Sequence, residues 1–442
     1  MILIVSFLVI GSIFFTLRFG FLNIRAFPKA IAIALSKPDT EESGDVDPFQ
    51  ALTTALSATV GLGNIAGVAI AIQMGGVGSV FWMSVGAFFG MSSKFIECSL
   101  GQLFRQIKSD GSISGGPMYF LETGLSKIEL PKLGKALAVI YAVLCVGASF
   151  GGGNMFQVNQ SFAALEALFP AVGNYDWLFG LGIMFLVGLV IVGGITRIGN
   201  VTSKLVPFMI VLYLLGCFWV VAVKITEVPT AFQTIMEQAF SPVAVEGGFI
   251  GLLVISMRRS VFSHGASLGT AAIAHAASKN KEPMREGIVS ILEPFIDSII
   301  ICNLTALVII LTGTYGENIP AGIDGSKLTA LAFAQVISWF PYVLAIIIFL
   351  FGFSTIITWS YYGEKAWFYL FEDSNVWIYK VLFLLFVFIG AIANLDAVLD
   401  FSDYLLLALS VPNIIGCILL SGIVATKLKY FMESSENSID ID

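Results

Sequence analysis

Charge is what this sequence has least of for its length: Lys, Arg, Asp and Glu make up 12% of 442 residues. A soluble domain carries about a quarter charged residues, because its surface must be solvated. Most of this surface therefore faces hydrocarbon or the rest of the chain. Basic residues number 23 against 30 acidic ones, a net charge of −7, and this excludes the basic face that nucleic-acid binding requires. Cysteine is also sparse. The 5 copies, Cys98, Cys145, Cys217, Cys302 and Cys417, sit in apolar runs without paired spacing. That excludes a disulfide framework or a cysteine metal site and leaves small buried hydrophobes. With 2 histidines in all, no His/Cys/carboxylate grouping makes a catalytic constellation, so an enzyme is not expected. The few charges inside apolar stretches do not form the rings of a channel filter.

Hydrophobic residues, by contrast, reach 57%, with a mean hydropathy of +0.90. The class is an all-α polytopic membrane protein, one large bundle in a lipid bilayer. A spanning helix needs about 20 apolar residues, and on that measure there are about 11 candidate spans: 2–17, 49–76, 79–104, 135–166, 175–195, 201–225, 245–276, 285–312, 340–364, 376–393 and 397–426. The stretch 327–339 is too short to span and is expected to pack across the outer face. Residues 1–15 have no basic residue before the apolar run and no small-residue cleavage site after it, so they read as a retained helix.

The basic residues orient these spans. With the N-terminus outside, nineteen of the 23 fall on the cytoplasmic side, among them Arg18, Lys37, Lys94, Arg105, Lys281 and Lys427, while only Lys224 and Lys327 lie outside. The C-terminus is then cytoplasmic and the location is the cell membrane of a prokaryote. Arg258 and Arg259 lie within a span. Being costly there, they need water or a partner such as Glu246 or Asp297. Asp297 and Glu293 are read as the carboxylates deepest in a clear membrane helix. The acidic run from Asp39 to Asp47 and the polar run from Glu433 to Asp442 read as solvated loop and tail.

Two spans are poorly built as continuous helices. One carries Thr59-Val60-Gly61-Leu62-Gly63-Asn64 at mid-membrane, the other Val261-Phe262-Ser263-His264-Gly265-Ala266-Ser267-Leu268-Gly269-Thr270. Unwound backbone at that depth is tolerated only where it lines a cavity or is buried in protein; close glycine packing between intact helices is the other reading. If the first span is set aside, the two fall at the first and sixth places of ten, each opening a five-helix half of opposite topology. That is the inverted repeat of many secondary transporters, whose substrate binds between the halves. The resulting division is 1–48 (N-terminal helix and cytoplasmic loop), 49–225 (first repeat), 240–427 (second repeat) and 428–442 (tail). A polar stripe of Asn154, Gln157 and Ser161 lies in the span 135–166 and reads as a substrate contact or as interhelical hydrogen bonding.

FQALTTAL at 49–56, GLGNIAGVA at 61–69, GGPMYF at 115–120 and FSTIITWSYYGEKA at 353–366 are similar to the alanine or glycine:cation symporter family, over about residues 18–425. The resemblance implies a sodium- or proton-coupled importer of small neutral amino acids with the 5+5 inverted-repeat fold, an extra N-terminal helix and two broken helices. It further implies substrate contacts at Gly63, Asn64, Gln157, Phe262, Ser263, His264 and Trp359. A sodium ion would be held by the carbonyls of Ser57 and Val60 with the hydroxyls of Ser354 and Thr355. Ser354 and Thr355 bonded to their own helix carbonyls is the alternative. A cage of neutral oxygens suits sodium, whereas proton coupling through His264 or Asp297 would use a titratable group. A monomer suffices for this mechanism. One departure stands out: the family's Phe-Ser-Asn-Glu-Ala-Gly-Leu-Gly is here Phe262-Ser263-His264-Gly265-Ala266-Ser267-Leu268-Gly269, which puts selectivity for alanine or glycine in question. His264 could contact substrate or simply be packed; His275, eleven residues on, does not form a helical metal pair with it.

Overall fold

A computed structural model describes residues 2–35, 44–108, 111–240, 247–280, 282–316, 319, 322–372 and 375–437. Lys37, Glu246 and Lys281 lie outside the described residues, as does much of the acidic run from Asp39. Among the described residues the regular structure is helical apart from one small antiparallel hairpin, β1 Gln106–Ile107 with β2 Ile113–Ser114, and an isolated parallel bridge between Val46 and Ser278. Its main helices are α1 Ile2–Arg18, α2 Pro48–Thr59, α3 Ala66–Gly75, α4 Ser79–Leu103, α5 Pro131–Leu168, α6 Asp176–Ile191, α7 Gly194–Val223, α8 Val228–Phe240, α9 Gly248–His264 and α10 Ala271–Ala276. They continue with α11 Pro283–Leu311, α12 Gly325–Ala334, α13 Phe340–Phe371, α14 Val376–Ile392 and α15 Leu395–Asn437. Among the described residues six helices are long and apolar enough to cross a membrane: α5, α7, α11, α13, Pro170–Ile191 around α6, and most of α15. α1, α3 and α14 are apolar but shorter. All five cysteines are free and buried.

The expected windows 49–76 and 245–276 are each two helices. The first breaks between Thr59 and Ala66, the second between His264 and Ala271. Local chemistry sets the outer limits of the first. Asp47 caps α2: its carboxylate accepts from the Gln50 N–H at 2.8 Å while Gln50 Oε1 accepts from the Asp47 N–H at 3.2 Å, with Pro48 at the first helical position. The short helix α12, in the stretch expected to lie across the outer face, packs on α3, and Thr329 donates to the Ile65 carbonyl at 3.2 Å. α1 sits against α4 and α15; Ser12 joins Ser93 at 3.0 Å and Ser267 at 3.2 Å, tying this extra helix to the second break.

The interior holds more charge than the sequence pattern conveys. Lys94 is fully buried and donates to Glu293 at 3.0 Å, so it does not belong among the cytoplasmic surface charges. Glu293 also faces His275 Nε2 at 2.7 Å, and His275 Nδ1 faces Glu286 at 2.7 Å. Ser278 and Asn280 donate to the other Glu286 oxygen at 2.8 and 2.9 Å. Glu97, Glu286 and Asp403 are as buried as Glu293 and Asp297, correcting the expectation that the last two stand alone. The residues escape a hydropathy reading because each is one charge within an otherwise apolar helix face. Together they clamp α10 to α4 and α11. Removing one member of a buried pair strands the other. Lys94→Met is therefore expected to cost about 3–5 kcal/mol, read as a large fall in the thermal unfolding midpoint of the detergent-solubilised protein; an unchanged midpoint would show that the pair carries no structural load.

Candidate functional site

Each break leaves backbone groups that a helix would have satisfied, and each is resolved by side chains from other helices. At the first, the Leu62 N–H donates to Gln157 Oε1 at 3.1 Å and the Gly61 N–H to Asn64 Oδ1 at 3.2 Å. Gln157 in turn donates to the Gly152 carbonyl at 2.8 Å, in the wide turn Gly151–Met155 of α5. At the second, Gly265 and Gly269 take φ of +61° and +77°, a left-handed backbone that glycine adopts without a Cβ clash. Tyr141 donates to the Leu268 carbonyl and Asn413 to the Ser267 carbonyl, both at 2.8 Å, and Glu97 accepts from the Gly269 N–H at 3.2 Å.

The two breaks meet. Gly63 lies so close to the other segment that a Cβ there would stand 3.2 Å from the Phe262 ring and 3.3 Å from Ser263 Cα. Asp297 of α11 joins them: Oδ1 accepts from Asn64 at 2.5 Å, Oδ2 from Ser263 at 2.6 Å and from Ser298 at 2.8 Å, and the Asp297 carbonyl also accepts from Asn64 at 3.1 Å. Beside this junction is a cavity of about 20 Å³ lined by Gly63, Gln157, Phe262, Ser263, Thr270 and Trp359, among others. That is room for about one water. Phe262 is held edge-on by Phe156 at 4.8 Å, and the Trp359 indole N–H donates to the Ala58 carbonyl at 3.2 Å.

Of the substrate residues expected from the sequence, Gly63, Gln157, Phe262, Ser263 and Trp359 line this cavity, while Asn64 and His264 do not. Asn64 is spent on Asp297. The His264 Nδ1 accepts from the Ala266 N–H at 2.9 Å, and the ring borders a separate apolar cavity of about 550 Å³ between α1, α4 and α9. In the polar stripe of α5 only Gln157 reaches the cavity; Asn154 donates to the Phe383 carbonyl at 2.8 Å and Ser161 to the Gln157 carbonyl at 2.7 Å. Arg258 and Arg259 both pair with Asp403 of α15 rather than with Asp297, whose two oxygens are already taken.

The four residues expected to surround a cation fall at the seam between α2 and α13. Ser57 donates to the Ser354 carbonyl at 2.8 Å, Thr355 donates to the Ser57 carbonyl at 2.8 Å, and Thr358, which the sequence reading passed over, donates to Ser57 Oγ at 3.1 Å. The Ser354 hydroxyl donates to its own helix at the Phe351 carbonyl, 3.0 Å away. No hydrogen bond links Val60 to Ser354 or Thr355 among the described residues, although a Cβ on its neighbour Gly61 would stand 2.5 Å from Thr355 Oγ1. Oxygens converge here without any carboxylate. Elsewhere Cys98, His275 and Glu293 bring ligand atoms within 4.8 Å of one another. Both His275 nitrogens already face carboxylates, and the Lys94 ammonium sits on Glu293, so that group fits a cation poorly.

The profile described as "Sodium:alanine symporter family" matches residues 1–441. The chain belongs to this family. A sodium/alanine symporter, AgcS, of Methanococcus maripaludis is 41% identical over 433 residues, covering 97% of this chain and 94% of the relative. A probable sodium/glutamine symporter, GlnT, of Bacillus subtilis is 32% identical over 432 residues, covering 97% and 87%. Among solved structures, MhsT in complex with L-phenylalanine superposes with a TM-score of 0.56 at 13% identity, covering 84% of this chain and 87% of the other, a likeness of fold. The protein is thus a multi-pass cell-membrane transporter that couples amino-acid movement to a cation, and it is not an enzyme.

Asp297 gives the site its clearest test. Asp297→Ala leaves the Ser263 hydroxyl without its carboxylate and the Asn64 amide with only the backbone carbonyl of that position, at a cost of about 1–3 kcal/mol for each lost acceptor. Uptake is expected to fall to background with a lowered unfolding midpoint, and Asp297→Asn, which keeps one carbonyl oxygen for Asn64, is expected to retain a measurable part of both.

Proposed function

We propose that the chain is a sodium-coupled symporter of a small neutral amino acid, alanine or glycine, working by alternating access. The observation that carries the reading is the meeting of two interrupted helices at one cavity, with Gly63 set against Phe262 and Ser263. Free N–H groups at an unwound segment suit a substrate carboxylate. The aromatic faces of Phe262 and Trp359 with the small residues Gly63 and Gly152 suit a short side chain, and Gln157, already bonded to the break, is placed to sense what fills it.

Coupling would reside in the α2–α13 seam. Ser57, Thr355 and Thr358 there satisfy one another through neutral hydrogen bonds, and neutral oxygens on two helices that can part suit a sodium ion travelling as cargo. The carbonyl of Val60 and the hydroxyl of Ser354 would complete the set. Each sodium carried inward gains about 2.3 kcal/mol per 100 mV of membrane potential. A proton in place of sodium is the second reading, favoured by the buried Asp297 carboxylate touching both breaks. The glutamine in the printed name of GlnT makes substrate size the property to measure alongside the ion.

In proteoliposomes at fixed pH, labelled alanine uptake is expected to collapse when potassium replaces sodium; undiminished uptake would transfer the coupling to a proton. Uptake of glutamine but not alanine would move the substrate class and leave the ion unchanged. The double substitution Ser354→Ala with Thr355→Ala is expected to remove the sodium dependence of binding while the protein still folds, and an unaltered sodium response would clear both residues of that role.

A further inference from the structure

The apolar cavity of about 550 Å³ between α1, α4 and α9 is far larger than the central one and shares no wall with it. It has the form of a groove. Its wall on α1 runs from Ile2 to Ile13, about 16 Å at a helical rise of about 1.5 Å per residue. Ile2, Trp82 and Ile250 form the rim, while Ser12, Phe89 and His264 form the floor. Trp82 stands among Phe81, Phe240 and Phe249, whose ring centres lie 5.1, 5.7 and 5.6 Å from its own, and its indole N–H donates to the Ala239 carbonyl at 2.9 Å. Aromatic clusters of this kind gather at the boundary between membrane and water. One leaflet of hydrocarbon is about 15 Å deep, half of a core about 30 Å thick, so the groove runs from that boundary to the middle of the bilayer.

The groove is open along its side. Ile10 and Ile250 line it at 65% and 60% exposure, continuous with the apolar faces that α1 and α9 turn to the membrane. At the floor no polar atom is turned toward an occupant: Ser12 is bonded to Ser93 and Ser267, His264 Nδ1 accepts from the Ala266 N–H, and His264 Nε2 is buried on the side of Gly90. Apolar side chains that face a void lose their contacts on one side, and in a bilayer the adjoining hydrocarbon supplies them. Spread over its length, the volume corresponds to a width of about 6–7 Å, room for one hydrocarbon chain but not for a second helix about 10–12 Å across. We propose that the groove seats one acyl chain of a phospholipid from the leaflet on the side of the α1 N-terminus, its headgroup beside Trp82 and its methyl end against Phe89 and His264. The chain completes the packing of α1 against α9. Because His264 caps the end of α9, the lipid becomes part of the wall that holds the second break in shape.

Delipidated protein supplied with phosphatidylglycerol is expected to keep one molecule per chain in native mass spectrometry after loosely held lipid has been stripped. Val9 and Val254 line the groove and are half-buried. The pair Val9→Phe with Val254→Phe fills it and is expected to lower the retained fraction about fivefold or more, as overpacking would, whereas Val211→Phe, at a position 56% exposed on α7, is expected to leave it unchanged. Equal retention by the filled and unfilled proteins, or loss of all lipid from the unfilled one, overturns the proposal. So does a dimer that forms only with the groove unfilled, which would give the groove to a second copy of the chain. A phosphatidylglycerol carrying a diazirine near the end of one chain checks the same point without any substitution. Photolysis in vesicles of equal parts phosphatidylethanolamine and phosphatidylglycerol is expected to place saturable adducts around Ile13 and Val261; adducts spread evenly over the exposed faces of α6 and α7, rising in proportion to the labelled lipid, would report the bulk bilayer alone and overturn the seat.

Discussion

The structure depends on one carboxylate. In a medium without water, a helix can be interrupted only if each freed N–H and C=O finds another partner; Gln157, Tyr141, Asn413 and Glu97 serve the backbone of the two breaks, and Asp297 ties the two segments to each other. Through Asn64 it fixes the first break, and through Ser263 it reaches the end of α9 just before the second. A buried donor left without its acceptor costs about 1–3 kcal/mol. Two unwound segments that would each be costly alone are therefore mutually supporting, and the cavity between them follows from that juxtaposition.

Around this junction the contacts divide by kind. Charged anchors hold the halves of the second broken helix: Lys94, Glu293, His275 and Glu286 clamp α10, and Arg258 and Arg259 with Asp403 clamp α9. The seam between α2 and α13 is made differently, from hydroxyls and carbonyls of Ser57, Thr355 and Thr358. Parting a neutral hydroxyl pair costs far less than separating buried charges. Of these interfaces the neutral one is thus the less costly to part, the property that the proposed sodium site there would require.

Much of this was legible from composition and punctuation. Scarcity of charge gave the class, and the glycines at 61, 63, 265 and 269 located both breaks within a few residues, because the last two take positive φ and a Cβ at the first two would crowd Thr355 and Phe262. Five of the seven residues expected to touch substrate do line the central cavity. Partnerships were not legible. Asn64, expected at the substrate, bonds Asp297; Lys94 reads as a flanking cytoplasmic charge but is paired in the core; Arg258 and Arg259 find Asp403, some 144 residues away, rather than Asp297. Single polar residues on apolar helices carry no spacing signal, since their meaning is set by whichever helix packs opposite.

His264 illustrates what the departure from the family pattern does and does not bear on. Its ring turns away from the central cavity, accepts a hydrogen bond from the Ala266 N–H and so caps the end of α9. The imidazole thus bears on the shape of the break. What limits the ligand is the wall. On the sides formed by Gly63, Gly152 and Gly265 it is already glycine and cannot be cut back further, while Phe262, Trp359, Leu268 and Leu406 are its bulky members, the two aromatics each pinned by another contact. Room for a longer side chain must then come from moving one of the bulkier walls, and Phe262, whose ring centre lies 5.1 Å from the Arg259 guanidinium, is one of them. Selection by size would therefore act through side chains that are themselves held by contacts beyond the cavity.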